Sequence, residues 1–455
     1  MSTIAAISTS PGIGGIGIVR MSGEECFEIL NKIFKPKTNS DIKAYTMKYG
    51  NIINPKTNEI IDEVLVSYFI SPKSYTTENM CEINSHGSQV VMKKILELCL
   101  ENGANLAEPG EFTKKAFLNG RIDLSQAEAV IDLINSKTEK EAESSIKQLE
   151  GFLSKEILKI KKDILDLLTE IEVSIDYPEY DDIEEVTNNK AIEKLNNIKN
   201  ALENLENSYK NGKIIREGIK TAIIGTPNAG KSSLLNAILK EDRAIVTEYE
   251  GTTRDTIEEY ISVYGIPLKI IDTAGIRNAK DEVEKIGIEK SREIANSSDL
   301  IIAIFDSSKK LSSEDLEILE LVKDKNTIIV INKIDLGKIE IELDKIKNIN
   351  KPIIKISAKN KEGIENLYEQ IKDLFSLNDI NIGDENIITN VRHLELIKRA
   401  RQSALNAIDT INNQLPIDII SINIKDIIEA LNTITGENAT EDLINDIFSK
   451  FCLGK

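Results

Sequence analysis

The spacing of apolar residues changes character three times along the chain. Up to about residue 118 two periods are mixed. Thr3–Ser8, Ile16–Met21 and Glu63–Ile70 read as strands, while Glu24–Phe34 and Gln89–Leu100 repeat every three or four residues, as helices do. The Gly-rich stretch Pro11–Gly17 lies between the first two strands. No Lys-Ser or Lys-Thr follows it, and a strand rather than a helix comes next, so it reads as a hairpin turn rather than a phosphate loop. From Gly120 the spacing predicts helices over Asp123–Lys137, Ser144–Gly151 and Phe152–Val173. The last carries Ile157, Ile160, Ile164, Leu168 and Ile171, a stripe that reads as core. Ile175–Ile183, with Pro178 and four acids, predicts a solvated connector; another helix follows over Ile183–Lys210, and Asn211-Gly212 predicts a hinge. Residues 218–378 then alternate strand and helix, with the unbroken apolar runs Leu300–Phe305, Thr327–Ile331 and Pro352–Ile356 expected of buried parallel strands. Helical spacing returns over Val391–Gln414, Lys425–Ile434 and Thr440–Ser449. The expected architecture is a multidomain α/β plus all-α chain: an α/β domain over 1–118, a helical domain over 119–215 and 379–455, and a nucleotide-binding domain over 216–378 inserted into it. A linear run of four domains is the alternative.

Composition narrows the function classes. The chain has 455 residues, 41% hydrophobic and 29% charged, with a formal net charge of −18. That balance does not advertise a general polyanion-binding surface, so nucleic acid would meet a local patch or a partner. Its four cysteines (Cys26, Cys81, Cys99, Cys452) lie far apart, with no metal-ligand spacing around His86 or His393. A reducing, cytoplasmic setting without disulfides or structural zinc is expected. With no basic stretch ahead of an apolar run and no apolar run near 18 residues, neither a signal peptide nor a membrane span is expected.

The chemistry concentrates at Gly225-Thr-Pro-Asn-Ala-Gly-Lys-Ser232, between a short apolar strand and an amphipathic helix. This is the P-loop pattern: backbone N–H groups wrap a phosphate where Gly225 and Gly230 carry no Cβ, and the following helix adds its positive end. Asn228, Ala229, Gly230, Lys231, Ser232 and Ser233 would line the phosphates, with Lys231 on the outer ones and the Ser232 hydroxyl on Mg²⁺. The base is read elsewhere. Asn332-Lys333-Ile-Asp335 follows the Thr327–Ile331 strand, and a carboxylate there accepts two hydrogen bonds from guanine that adenine cannot supply. Ser357, Ala358 and Lys359 follow the next strand, where a backbone N–H can meet the guanine carbonyl. Asp272, Thr273, Ala274 and Gly275 end another strand and would order the Mg²⁺ shell and face the terminal phosphate, and Gly251-Thr-Thr-Arg-Asp255 would supply Thr253 as a second Mg²⁺ ligand. Together these imply GTP.

Hydrolysis raises a problem. Where small GTPases carry a water-orienting Gln after Asp-x-x-Gly, this chain has Ile276, which cannot polarise water. Another residue, within Arg277–Glu284, would have to serve. No arginine finger is evident either. Asn228 either caps the loop or offers an amide oxygen to a monovalent cation; the residues alone leave both open.

Several segments together resemble one family. Gly14-Gly-Ile-Gly-Ile-Val-Arg20, Pro109-Gly-Glu-Phe-Thr113, Ala116–Ala129, Asp272–Arg277 with Asp281–Gly287, and the terminal Phe451-Cys-Leu-Gly-Lys455 are similar to the MnmE (TrmE) family of tRNA uridine-modification GTPases, over the full chain. The resemblance implies a homodimer whose N-terminal domain binds 5-formyltetrahydrofolate or a related tetrahydrofolate. It also implies an FAD-dependent partner, MnmG (GidA), in a heterotetramer-type complex that modifies the wobble uridine of certain tRNAs at carbon 5. By motif match, Arg20, Glu82, Lys455 and Arg121 (Lys in many members) take the folate positions. K⁺ would replace the arginine finger, held by Asn228, Thr247, Tyr249 and Thr252, in a stretch with Glu248, Glu250 and Gly251 that borders the nucleotide. Glu284 would orient the attacking water. Cys452 sits in the terminal motif, where a nucleophile is one reading and a small packing residue ahead of Lys455 is the expected one, since the sequence positions no His or carboxylate base beside it. A ribosome-assembly switch of the Der or Era kind would need a second P-loop or a C-terminal KH module, and neither is found in the sequence.

Overall fold

The computed structural model describes residues 2–38, 41–176, 181–239, 244–245, 259–271, 287–377 and 388–455. Contacts divide the chain into two compact units. One comprises Met1–Ile131, Gln148–Ile198 and Gln402–Lys455; the other comprises Asp132–Lys147 and Lys199–Arg401.

The first unit contains a seven-stranded sheet in the order β3-β4-β5-β6-β2-β1-β7. Its strands are β1 (Ile4–Ile7), β2 (Ile16–Ser22), β3 (Phe34–Pro36), β4 (Thr46–Ile53), β5 (Ile60–Phe69), β6 (Met80–His86) and β7 (Asn105–Leu106). β1 and β2 pair antiparallel, so the Gly-rich stretch does lie in a hairpin connection up to Gly15, while Ile16 and Gly17 already belong to β2. Alternation sorts the two faces. Val19, Met21, Val64, Val66 and Ile83 point into a core closed by helices α1 (Cys26–Ile33) and α2 (Gln89–Glu101) through Ile29, Leu30, Met92 and Ile95. The pleat sends Arg20 to the other face, directly opposite Glu82. Beyond α3 (Glu111–Leu118) and α4 (Leu124–Asn135), Ala116, Leu124 and Ala127 share a second core with Ile447, Phe448 and Phe451 from the chain's end.

After α5 (Glu139–Leu149), two helical expectations need correction. In α6 (Phe152–Asp176) the buried stripe is Ile157, Ile160, Ile164, Leu167 and Ile171, and Leu168 is only half-buried. The 3-4-3-4 repeat continues through Leu167, which keeps the stripe on one face. In α7 (Asp181–Glu217), Asn211-Gly212 does not hinge, because the helix runs through it. A helical Gly costs about 1 kcal/mol relative to Ala, less than the burial of Leu202, Leu205 and Ile215 on either side supplies. The break comes at Gly218, whose φ of 74° is the left-handed conformation that ends helices and whose N–H closes on Ile214 O.

The second unit is built on the sheet β14-β13-β12-β8-β11-β10-β9. Here β8 is Ile219–Ile224, β9 Ala244–Ile245, β10 Glu259–Val263, β11 Ile266–Ile270, β12 Leu300–Asp306, β13 Thr327–Asn332 and β14 Ile353–Lys355. The first five strands in that order are parallel, and β10 runs antiparallel to both β11 and β9. β12 and β13 are buried along nearly their whole length because helices cover both faces. Ile223, Ile302, Ile304 and Val330 pack with α8 (Lys231–Leu239) and the helix Ile364–Leu374. Ala222, Ile301, Ala303 and Phe305 pack with Leu319 and Val322 of the helix Ser313–Val322 on the other face. A doubly wound sheet of this kind presents ligands with the carboxyl ends of its strands, and β8, β12, β13 and β14 all end at one edge.

Candidate functional site

The loop between β8 and α8 follows from local geometry. Gly225 and Gly230 meet neighbours that a side chain would strike: a Cβ on Gly225 would collide with Ile304 O, and one on Gly230, whose φ is 108°, would run into Asn332 Nδ2. Asn228 takes φ 63° and is exposed at the tip. Asn is among the few residues that adopt this region readily. Lys231, at the start of α8, directs Nζ back over the loop to Gly225 O (2.6 Å) and Thr226 O (3.0 Å). Ser232 and Ser233 occupy the first turn of α8.

Asn332 joins this loop to the loops that follow β13 and β14. It is 2% exposed; its Nδ2 donates to Ala229 O and its Oδ1 accepts from Ala358 N, both at 3.0 Å. One buried amide thus ties the phosphate loop, the end of β13 and the Ser357–Lys359 turn. Lys333 adopts φ 66°, which turns the chain so that exposed Asp335 follows; Asp335 Oδ1 accepts from Ser357 Oγ at 2.7 Å. The Ser357 N–H donates to Glu362 O, so both it and the Ala358 N–H serve within the protein. Lys333 Nζ pairs with Asp306 Oδ2 at 2.6 Å. Burial alone would push the Asp306 carboxyl up, but hydrogen bonds from Lys333 and Ser308 outweigh it and hold its pKa below the ordinary value.

The remaining nucleotide-side expectations, Thr247, Glu248, Tyr249, Glu250, Gly251, Thr252, Thr253, Asp272, Thr273, Ala274, Gly275 and Glu284, lie outside the described residues.

A second cluster forms in the first unit. Arg20 Nε and Nη2 donate to Glu82 Oε1 (2.9 and 2.8 Å) and Nη1 donates to Gly454 O (3.2 Å). The chain's end is fastened there as well, since Ser8 Oγ donates to Gly454 O at 3.0 Å. The Arg20 guanidinium lies 5.9 Å from the Tyr75 ring centre and 5.6 Å from that of Phe112, and Arg121 lies 4.8 Å from Tyr75. Arg121 Nη1 also donates to Tyr75 O, and the Tyr75 hydroxyl shares a hydrogen bond with Thr113. Arg20, Glu82 and Arg121 are therefore neighbours, with Lys455 one residue beyond Gly454. Cys452 is not a packing residue as expected: it is exposed, and Phe451 fills the core beside Phe448, ring centres 5.2 Å apart. The larger ring buries more apolar surface at that position.

Comparison with known proteins decides the family. The model described as the GTP-binding protein TrmE N-terminus matches residues 3–121, and that of the MnmE helical domain matches 124–452. The chain is 50% identical over 456 residues to the tRNA modification GTPase MnmE of Acetivibrio thermocellus, covering 100% of this chain and 99% of the relative. To the proteins of that name from Clostridioides difficile and Bacillus licheniformis it is 50% and 46% identical, over 458 and 460 residues, again covering 100% of this chain. The chain belongs to the MnmE (TrmE) family.

The span of the MnmE helical match encloses the whole P-loop fold in sequence, as an inserted nucleotide-binding domain requires. Sequence reasoning missed Tyr75, Asp306, Thr226 and Asp315 in this MnmE chain. Tyr75, Asp306 and Asp315 belong to no short motif that carries chemistry, and Thr226 fills a variable position of the P-loop, so the only signal was position. Among the described residues no helix is long and apolar enough to cross a membrane, and no group of three or more His, Cys, Asp or Glu side chains is placed to hold a metal ion.

Proposed function

We propose that the chain hydrolyses GTP in a K⁺-dependent way and, with the FAD-dependent MnmG as partner, modifies the wobble uridine of certain tRNAs at carbon 5, taking the one-carbon unit from a tetrahydrofolate. It would do so as a cytoplasmic homodimer. The observation that carries the GTP part is the Asn332 bridge, which sets the phosphate loop and the guanine-side loop at a fixed spacing, with Asp335 held by Ser357. That carboxylate would accept from the guanine N1 and N2 groups, while Lys231 and the α8 N–H groups meet the phosphates. The glycine cradle at Gly225 and Gly230 suits a phosphate, and Ser232 at the head of α8 suits Mg²⁺, completed by Thr253. The exposed amide of Asn228 suits K⁺, with Thr247, Tyr249 and Thr252. The two cations, when bound, offset the negative charge that grows on the transferred phosphoryl group. Glu284 would orient the attacking water, taking the part that Ile276 cannot.

For the folate, Arg121 and Lys455 would face its glutamate tail, and the Tyr75 ring offers a flat apolar surface beside Arg20 and Glu82. Given the acidic balance of the chain, most tRNA phosphate contacts would fall to the partner.

Two experiments test this reading. GTP turnover is measured in K⁺ and in Na⁺ at equal ionic strength; equal rates overturn the cation role. Mass spectrometry of tRNA nucleosides follows a deletion strain complemented with wild type or Glu284→Ala; restoration of the modified uridine by both overturns the coupling of hydrolysis to modification.

A further inference from the structure

The end of β12 and the start of the helix Ser313–Val322 carry no nucleotide motif, yet they hold both motif loops. On the base side Asp306 pairs with Lys333. On the phosphate side Thr226 Oγ1 donates to Asp315 Oδ1 at 3.0 Å. Asp306, Asp315 and Thr226 line a common cavity of about 210 Å³ with Lys309 and Lys310.

Asp315 is held before it reaches Thr226. It is the third residue of the helix Ser313–Val322, where its Oδ2 accepts from Ser312 N (3.0 Å) and Ser312 Oγ (2.8 Å) while its own N–H donates to Ser312 Oγ (3.1 Å). This capping box fixes the carboxylate plane and leaves Oδ1 aimed at the phosphate loop. A side chain already ordered loses little further entropy when it makes one more bond. Thr226 then passes the constraint on, because its carbonyl accepts from both Ala229 N (3.2 Å) and Lys231 Nζ (3.0 Å). The loop's internal turn closes on that carbonyl, Lys231 Nζ bonds to it as well as to Gly225 O, and the side chain of Thr226 is pinned by Asp315.

We infer that Asp315 is a positioning residue of the nucleotide site: through Thr226 it sets the phosphate loop and so the place where Lys231 meets the outer phosphates of a nucleoside triphosphate. The inference rests on the GTPase reading above. Asn332 braces the same loop from the opposite end, at Ala229, and of these two supports among the described residues Asp315 is the one outside any motif.

The test is titration of the purified full chain with fluorescent GDP and GTP analogues, with melting temperature recorded in parallel. Thr226→Val keeps the side chain's shape and removes the donor; it should weaken both nucleotides about fivefold to tenfold, mainly through faster release. Asp315→Ala should weaken them similarly, the double variant should be no weaker than either single, and Asp315→Asn, which keeps an acceptor oxygen, should recover most of the loss. Ser312→Ala removes the hydroxyl's part of the cap but keeps the backbone N–H of residue 312 on Asp315 Oδ2 and the tie to the loop, so it should lower the melting temperature and leave affinity within about twofold. Binding by Thr226→Val within about twofold of wild type, additive losses in the double variant, or a loss in Ser312→Ala equal to that in Asp315→Ala each overturn the inference. A wild-type chain that binds neither analogue overturns the GTPase reading itself, which separates the two failures.

Discussion

The phosphate loop and the Tyr75 cluster gather their polar groups in opposite ways. In the loop, the groups that would meet ligand are consecutive residues, Gly225 to Ser233, and the fold adds braces from outside: Asn332 at Ala229 and Asp315 at Thr226. In the cluster nothing is consecutive. Arg20, Tyr75, Glu82, Phe112, Arg121 and Gly454 come from two strands, two loops, a helix and the end of the chain. Backbone amides do most of the work in the first region, so spacing within a few residues suffices. Side chains do it in the second, so strand register and a distant terminus decide the geometry. A local change should therefore cost the loop its ligand without unfolding it, whereas the same change in the cluster should cost stability as well.

The largest expected effect concerns the hydrolytic role proposed for Glu284. Glu284→Ala should cut GTP hydrolysis at least about a hundredfold while nucleotide affinity stays unchanged. Stopped turnover with equally lost affinity would show a folding defect instead. Asn332→Ala removes two buried hydrogen bonds and leaves Ala229 O and Ala358 N without that partner; affinity for GTP should fall about tenfold to a hundredfold, read by the same titration. In the cluster, Arg20→Met strands a Glu82 side chain that is only 18% exposed, so denaturant unfolding should show a loss of about 1–3 kcal/mol together with lost folate binding. An unchanged unfolding midpoint would erase the distinction between the two regions.

Smaller still is a pH effect in the second unit. The Glu141 carboxylate accepts from Lys137 N at 2.5 Å, and burial pushes its pKa from 4.5 to about 7. A carboxyl raised on folding binds more protons in the native state, so its contribution is full below pH 4.5 and is lost as pH rises through about 7. Glu141→Gln should flatten the stability profile across that window, by about 1–3 kcal/mol between its ends. A profile identical to wild type would place the group in water. Least of all should Cys452→Ser matter, since that thiol is exposed; melting temperature should hold within about 1 °C.

By itself the sequence determined the layers and the nucleotide. Unbroken apolar runs can be buried on both faces only in a covered parallel sheet, and Leu300–Phe305 and Thr327–Ile331 are such strands. The P-loop was legible because its function needs one local backbone path, which glycines at fixed spacing reveal. Reading Asn332–Asp335 as a base-side motif needed only its place after β13. The N-terminal cluster was legible only through resemblance, because no periodicity announces that Arg20 will face Glu82 or that residue 454 will close on residue 20. Helix breaks were misread where burial outweighed local preference, as at Asn211-Gly212, and Cys452 was misread because the neighbouring ring, Phe451, won the core. Tertiary structure alone decided which side chains hold the loops. A contact such as Thr226 to Asp315 spans 89 residues, and its energy comes from two groups meeting at 3.0 Å, a distance that only the packed sheet and helix can set.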